Sequence, residues 1–167
     1  TRTLAPNSLR IGLADDIEDL RLFCGAGPDV VAVAALPAGA AVGSVVIETG
    51  GGDDEISIGD GAGPVRGVLS PLLLDGGDGF NRVVIDDSGE IAATKLTTSS
   101  TRVGAGEDDT FFAPDVWIEI SRIGDVAIRL GAGADDVLAS PAASAAFHFF
   151  DFSQSPGRLS PGDRVEV

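Results

Sequence analysis

Five short polar side chains, Asp29, Asp54, Asn81, Asp108 and Asp135, each stand four residues after the first glycine of a Gly-x-Gly pair. Further carboxylates adjoin them at Asp53, Asp78, Glu107, Asp109 and Asp136. Two kinds of chemistry suit such a set. An Asp or Asn oxygen can accept backbone N–H groups of its own turn, the Asx-turn role, while flanking acids lie in water. Carboxylates can also cage a calcium ion, a hard cation that takes oxygen ligands. The candidate ligands for Ca2+ are then Asp29, Asp54, Asp78, Asn81, Asp108, Asp109, Asp135 and Asp136. The Asx role asks for nothing beyond the turn and is preferred, with calcium left open.

Other groups suggest catalysis but read more simply as structure. Paired carboxylates can act as general acid and base on a polysaccharide, and Asp86-Asp87, with Asp75 and Asp60 in the neighbourhood, form such a set. Asp86-Asp87-Ser88-Gly89 also has the composition of a turn following the apolar run Val83-Val84-Ile85. A Ser-His-Asp arrangement would have to use His148, which lies in the alternating aromatic stretch Ala145–Phe152 and reads as part of a strand. The single cysteine, Cys24, excludes an internal disulfide, and one Cys with one His cannot build a zinc site. Cys24 is expected to be a buried structural thiol. With no Tyr and one Trp, platforms for stacking sugar rings are scarce. No catalytic residue is assigned.

The elements that must position these groups come from an internal repeat. Gly-x-Gly recurs at Gly25/Gly27, Gly50/Gly52, Gly77/Gly79, Gly104/Gly106 and Gly131/Gly133, in steps of 25, 27, 27 and 27 residues. Six residues after each first glycine stand Val31, Ile56, Val83, Thr110 and Val137, and eight after it Val33, Ile58, Ile85, Phe112 and Ala139. Upstream, Leu22, Ile47, Leu74, Thr101 and Ile128 alternate with Leu20, Val45, Leu72, Ser99 and Val126. Period-two apolar residues mean strands with one buried face. Each unit therefore reads as strand, glycine turn, strand and a corner near Pro37, Pro64, Pro114 or Pro141, with a third short strand such as Trp117–Ile120. Gly, Pro or β-branched residues interrupt every helical window, and Leu20 and Leu22 fit a strand better than the one helix candidate, Ala14–Leu22. The fold expected is all-β: a right-handed parallel β-helix, or solenoid, of about five coils of roughly 27 residues, with matching positions stacked about 4.8 Å apart.

Leu74-Asp75-Gly76-Gly77-Asp78-Gly79-Phe80-Asn81 and Leu130-Gly131-Ala132-Gly133-Ala134-Asp135-Asp136-Val137 resemble the Gly-Gly-x-Gly-x-Asp-x-apolar units of RTX-type bacterial exoproteins. They resemble more loosely the repeat-built β-helical surface proteins of bacteria. The resemblance implies an extracellular setting, and calcium held between coils by Asp side chains and backbone carbonyls. RTX units follow one another every nine residues, whereas here a turn comes once per 27, so shared, opposed calcium loops do not carry over.

Composition bounds the partners. The chain has 167 residues, 44% of them hydrophobic, enough for one domain with a real core. Eleven Lys and Arg against 26 Asp and Glu give a formal net charge of −15, which argues against phosphate-backbone binding, so nucleic acid is not expected. No apolar run is long enough to span a membrane. The lack of any methionine suggests a processed chain or one cut from a longer protein.

Residues 1–19 are expected to form an N-terminal cap or partial coil, and residues 141–167 a C-terminal cap or assembly segment with Arg164–Val167 as an edge strand. Val46 and Leu73 should form an outward apolar stripe, with Ala127 at the matching position; Asp75 and Arg102 are placed for a cross-coil pair, but solvated decoration is the preferred reading of their column. The function expected is a structural or self-associating module, secreted or displayed on a bacterial surface as a surface protein, adhesin or filament subunit. A calcium-dependent carbohydrate-binding module and a polysaccharide-active β-helix enzyme are the alternatives.

Overall fold

The turns repeat in sequence because their backbones stack with no room for side chains. In the computed structural model, which describes residues 19–36, 44–104, 106–139, 146–151 and 164–166, Gly77 has φ +72° and an added Cβ would overlap the carbonyl of Gly50. Gly79 stands in the same relation to the carbonyl of Gly52. Only glycine adopts this left-handed conformation without strain and lets another backbone come so close.

The strands flanking these turns are parallel and in register. β1 (Asp19–Ala26), β3 (Ser44–Gly51) and β5 (Leu72–Asp75) form one run, in which Leu22 faces Ile47 and Ile47 faces Leu74. β2 (Val30–Val33), β4 (Glu55–Ile58) and β6 (Arg82–Asp86) form a second, in which Val31 faces Ile56 and Ile56 faces Val83. A short 3-10 turn, Val65–Gly67, makes the corner between β4 and β5. Side chains alternate as a pleat requires. Val45, Ile47, Leu72 and Leu74 from the first run join Ile56, Ile58, Val83 and Ile85 from the second in a single apolar core.

After β6 the chain leaves this register, and the expected right-handed parallel β-helix of five 27-residue coils is overturned. β7 (Lys95–Thr98) does not lead into another layer. Ser99 donates its N–H to the carbonyl of Arg102 at 2.8 Å, closing a tight reversal into β8 (Arg102–Val103), which is antiparallel to β7 and to β9 (Ile118–Ser121). β9 is the parallel partner of β5, the place expected for Ser99 and Thr101. β10 (Asp125–Leu130) is the parallel partner of β6, with Val126 facing Val83. The stacking step here is 43 residues, as between the paired side chains of Asp86 and Arg129. Thr110, expected above Val83, is exposed and its Oγ1 accepts the N–H of Lys95 in the other sheet.

β11 (Asp136–Ala139) then pairs with β7, and β13 (Arg164–Glu166) with β11, while β12 (Ala146–Asp151), which contains His148, pairs with β10. Among the described residues the architecture is thus two sheets. One has eight strands in the order β1-β3-β5-β9-β8-β7-β11-β13 and is mixed; the other is a parallel sheet of five, β12-β10-β6-β4-β2. The physical reason lies in residues 99, 101 and 110. Ser99, Thr101 and Thr110 occupy template positions that are apolar in every other unit, and the packing is completed by Ile118, Ile120, Val126 and Ile128 instead.

The intervening segment is still well packed: Phe111 and Phe112 meet edge to face, with ring centroids 5.0 Å apart, inside the core. The terminal calls on residues 1–18 and 152–163 lie outside the described residues, whereas the expected edge strand near Arg164 is present. Among the described residues no helix is long and apolar enough to cross a membrane.

Replacing Gly77 by Ala should cost about 1–3 kcal/mol from the backbone conformation alone, with the overlap at Gly50 added. At Gly63 an added Cβ meets nothing within 4 Å, so Ala there should be neutral or stabilise by up to about 1 kcal/mol. Urea unfolding of the two variants measures the contrast; equal losses would show that turn stacking is not the constraint.

Candidate functional site

Seven of the eight candidate calcium residues fall into three separate places, and the eighth, Asp78, is exposed on the turn after β5. Asp29, Asp54 and Asn81 form a column on the turns that precede β2, β4 and β6. Each side chain in the upper two layers serves the layer before it. Asp54 Oδ1 accepts the N–H of Asp29 at 2.8 Å, and Asn81 Oδ1 accepts the N–H of Asp54 at 3.1 Å. Asn81 Nδ2 in turn donates to the carbonyl of Arg122 at 3.2 Å. Asp54 and Asn81 are buried. The expected Asx role is present at Asp29, whose Oδ2 accepts the Gly25 N–H of its own turn at 3.4 Å, and in altered form at Asp54 and Asn81, whose oxygens cap an N–H of the neighbouring layer. Asp53 does the same at the exposed edge of the column, its Oδ1 accepting the N–H of Phe80 at 2.8 Å.

Asp135 forms the second place. It is buried, and its Oδ1 accepts both the N–H and the Oγ1–H of Thr94, at 2.9 and 2.8 Å, from a residue 41 positions earlier. The third is an open concavity of about 400 Å³ above β7 and β11, lined by Asp108, Asp109, Asp136, Glu107, Lys95 and Arg164 among others. Asp109 there is committed to the protein. Its Oδ2 accepts N–H groups of Thr97 and Gly106, and its Oδ1 the Thr97 hydroxyl. Asp78, Asp108 and Asp136 are exposed.

This donor set fits calcium poorly. Oxygens of Asp54, Asn81, Asp109 and Asp135 are spent on N–H and O–H donors, which leaves Asp54 Oδ2 as the buried oxygen of the column without a hydrogen bond. Among the described residues no three His, Cys, Asp or Glu side chains are placed to share one metal ion. A hard cation needs six to eight oxygens, far more than the column offers.

The carboxylates considered for catalysis are also separated by their partners. Asp86 is bound by the Ser88 hydroxyl at 2.6 Å and by Arg129 at 2.6 Å. Burial works against its charge, but these hydrogen bonds outweigh it and hold its carboxyl below the usual range. Asp75 takes a two-pronged contact from Arg122, 2.6 Å on each oxygen, and that guanidinium holds its carboxyl low. The partner of Asp75 is thus Arg122 and not Arg102, and the column is not mere solvated decoration: Arg102 lies 3.6 Å from Glu119 and over the Trp117 ring.

Asp87 differs from both. It is buried, its Oδ1 accepts the Val65 N–H at 2.6 Å, and its pKa is pushed up to about 7, chiefly by burial and further by the charges of Glu90 and Asp135. It has no access to a substrate, so the pair is not an acid and base facing a groove. Asp60 is exposed and caps its own turn through Ala62.

Cys24 is half-buried, and burial, with the charges of Asp29 and Asp54, raises its thiol pKa, which makes it a poor nucleophile. Val46 and Leu73 are neighbours on β3 and β5 and are half-buried on a shallow groove with Glu48, Asp75 and Glu119. Ala127 is buried and lies in the other sheet, away from them.

Asp54→Ala and Asp135→Ala should each lose about 1–3 kcal/mol, because the part-buried N–H of Asp29 and the buried N–H of Thr94 are left without their acceptors. Asp108→Ala should change stability by less than about 0.5 kcal/mol, since an exposed side chain with no such role is removed. Chemical denaturation separates the three, and heating scans in calcium and in chelator should give coincident midpoints. A marked loss at Asp108 or a rise with calcium would revive an ion site. Compared with protein-family models, with characterised proteins and with solved structures, the chain matches none.

Proposed function

We propose that this chain is a structural module, secreted or held on a bacterial surface, whose copies associate end to end. The observation that carries the reading is the state of β1 and β2. They are consecutive strands, and among the described residues each is the terminal strand of its sheet at the same end of the fold. Leu20, Leu22 and Cys24 on β1 are half-buried, whereas Val45, Ile47 and Thr49, facing the core at the same positions one layer on, are fully buried. Phe23 is 60% exposed and Val30 65% exposed.

A strand with free N–H and C=O groups on one side is a template for a further strand, and β2, Val-Val-Ala-Val, has no charge or proline to discourage one. The opposite ends of the sheets are β12 and β13. Contact between unlike ends is heterologous and can run on from copy to copy. The acids elsewhere support a scaffold, since Asp54, Asp87 and Asp135 are hydrogen-bonded and the half-buried Asp75 and Asp86 are ion-paired within the fold.

At a net charge of −15, copies repel one another at low salt, and salt screens that repulsion. Sedimentation velocity should therefore show species larger than a monomer that grow with protein concentration and with added sodium chloride. Val30→Lys, at an exposed edge position, should shift the distribution towards monomer without lowering the unfolding temperature. A monomer at every concentration and salt level would sink the proposal.

A further inference from the structure

The chain contains three Asp-Gly steps, Asp60-Gly61, Asp75-Gly76 and Asp78-Gly79. At such a step the main chain can react with its own side chain. The glycine nitrogen, with no side chain on the adjoining carbon to crowd it, can close a five-membered ring on the aspartyl carboxyl carbon. Closure requires the peptide to rotate about the Cα–C bond of the aspartate, so the hydrogen bonds on that peptide decide which step reacts.

Two of the three are held. Gly76 donates its N–H to the carbonyl of Ser121 at 3.0 Å, and both carboxylate oxygens of Asp75 are taken by Arg122. That guanidinium also keeps the Asp75 carboxyl ionised, and a carboxylate has no hydroxyl to lose. Asp78 donates its N–H to the carbonyl of Gly50 at 2.8 Å and accepts the Gly52 N–H at 3.0 Å, while the N–H of Phe80 is fixed on Asp53 Oδ1 at 2.8 Å. Gly79 itself lies against the carbonyl of Gly52. Turning this peptide would pull the stacked turns apart.

Asp60-Gly61 has no such ties. It lies in the corner between β4 and the 3-10 turn, beyond Gly59, whose N–H reaches the carbonyl of Val33 at 2.9 Å. Among the described residues, 60–63 make no backbone-to-backbone hydrogen bond, and Asp60 is exposed without an ion pair. Its Oδ1 accepts the Ala62 N–H at 3.0 Å, an Asx turn that folds the carboxyl group back over the Gly61 peptide. The same N–H faces the oxygen on which negative charge gathers as the nitrogen adds, and so favours ring closure. Position 61 is also kept bare: φ is +67°, and an added Cβ would lie 2.9 Å from Ser88 Oγ and 3.1 Å from the Asp86 carboxylate.

We propose that Asp60 is a site of self-modification, converting to isoaspartate through a cyclic imide while Asp75 and Asp78 are spared. The Gly61 nitrogen bonds to Cγ of Asp60 as the protonated carboxyl loses its hydroxyl, which leaves with the amide proton as water. Water then adds to a carbonyl of the ring. Breaking the bond from nitrogen to the original main-chain carbonyl gives isoaspartate, and breaking the new bond restores aspartate. In the isoaspartyl form the main chain runs through Cγ, the corner is one carbon longer, and the carboxylate sits on Cα. Charge and mass are unchanged. The reaction needs only water and does not depend on association of copies.

The test incubates the full chain in mildly acidic buffer made with oxygen-18 water, once folded and once in urea, until all three steps carry isoaspartate in the unfolded sample. Each imide that opens takes up one solvent oxygen, and peptide mapping with electron-transfer fragmentation places it. In the folded chain isoaspartate should form at Asp60 and lag about tenfold or more at Asp75 and Asp78, where more than one hydrogen bond must first be given up. In urea that selectivity should vanish. Asp60→Glu, which would need a larger ring, should abolish the folded-state product. Conversion of Asp75 or Asp78 as fast as Asp60 in the folded chain, an unmodified Asp60 there, or a product that survives Asp60→Glu would overturn the proposal.

Discussion

The constraint on which this structure depends is the distance between successive layers. Parallel strands lie under 5 Å apart, and where the chain turns between sheets the backbones come that close without a pleat to separate them. The carbonyl of Gly50 occupies the space a Cβ on Gly77 would need, and Gly52 does the same beneath Gly79. At that spacing the backbone N–H of a turn in one layer falls within reach of a short side chain in the next. Asp54 and Asn81 use it, each supplying an oxygen to the layer before. Glycine for proximity and Asx for capping are two consequences of one spacing, which is why they recur together in the sequence.

That coupling made part of the fold legible and part of it misleading. The strands around the first three turns, their inward residues and their parallel pairing could all be read from Leu20 to Ile85, because period two and the glycine step agree there. The fourth turn carries the same letters and does different work. Gly104, at φ +80°, leaves room for the ring of Phe112, and Gly106 lets Asp109 reach across to Thr97. The warning signs were Ser99, Thr101 and Thr110, polar at positions that a stacked layer must bury. Trp117-Ile118-Glu119-Ile120 offered the better alternation and took the place beside β5. A repeat period is evidence of stacking only where the core positions repeat with it.

The candidate site shows the same division. The acidic column was visible as spacing, and its hydrogen-bonding role followed from residue type, but the direction of the bonds depends on which layer is adjacent. Asp135 bonds to Thr94 and not to a residue 27 back, because β11 had moved to the other sheet beside β7. Asp87 stood out as half of an acidic pair, but its burial was hidden. As one of two neighbouring acids after a strand it looked like half of a solvated turn, and only the corner at Val65 folding over it takes it out of water. Burial imposed by a segment twenty-odd residues away leaves no local mark in the sequence.

The excess of acid and the interior acids are separate matters physically. Asp54, Asp87 and Asp135 lie inside and are held by hydrogen bonds, where their charge is a cost that the turns must offset. The exposed acids, such as Asp78, Asp108 and Asp136, contribute field and not adhesion. Repulsion between exposed charges decays within about 8 Å at physiological salt, so it hinders approach far more than it weakens a contact already made. Edge strands are commonly protected by a lysine, a proline or a bulge. β2, an edge strand among the described residues, carries neither lysine nor proline, and under the proposed association what would oppose a second strand beside it is the net charge of the whole molecule, a barrier that depends on the medium. Under the proposed association the use of this edge would be conditional on ionic strength, whereas a lysine within Val30–Val33 would close it under all conditions.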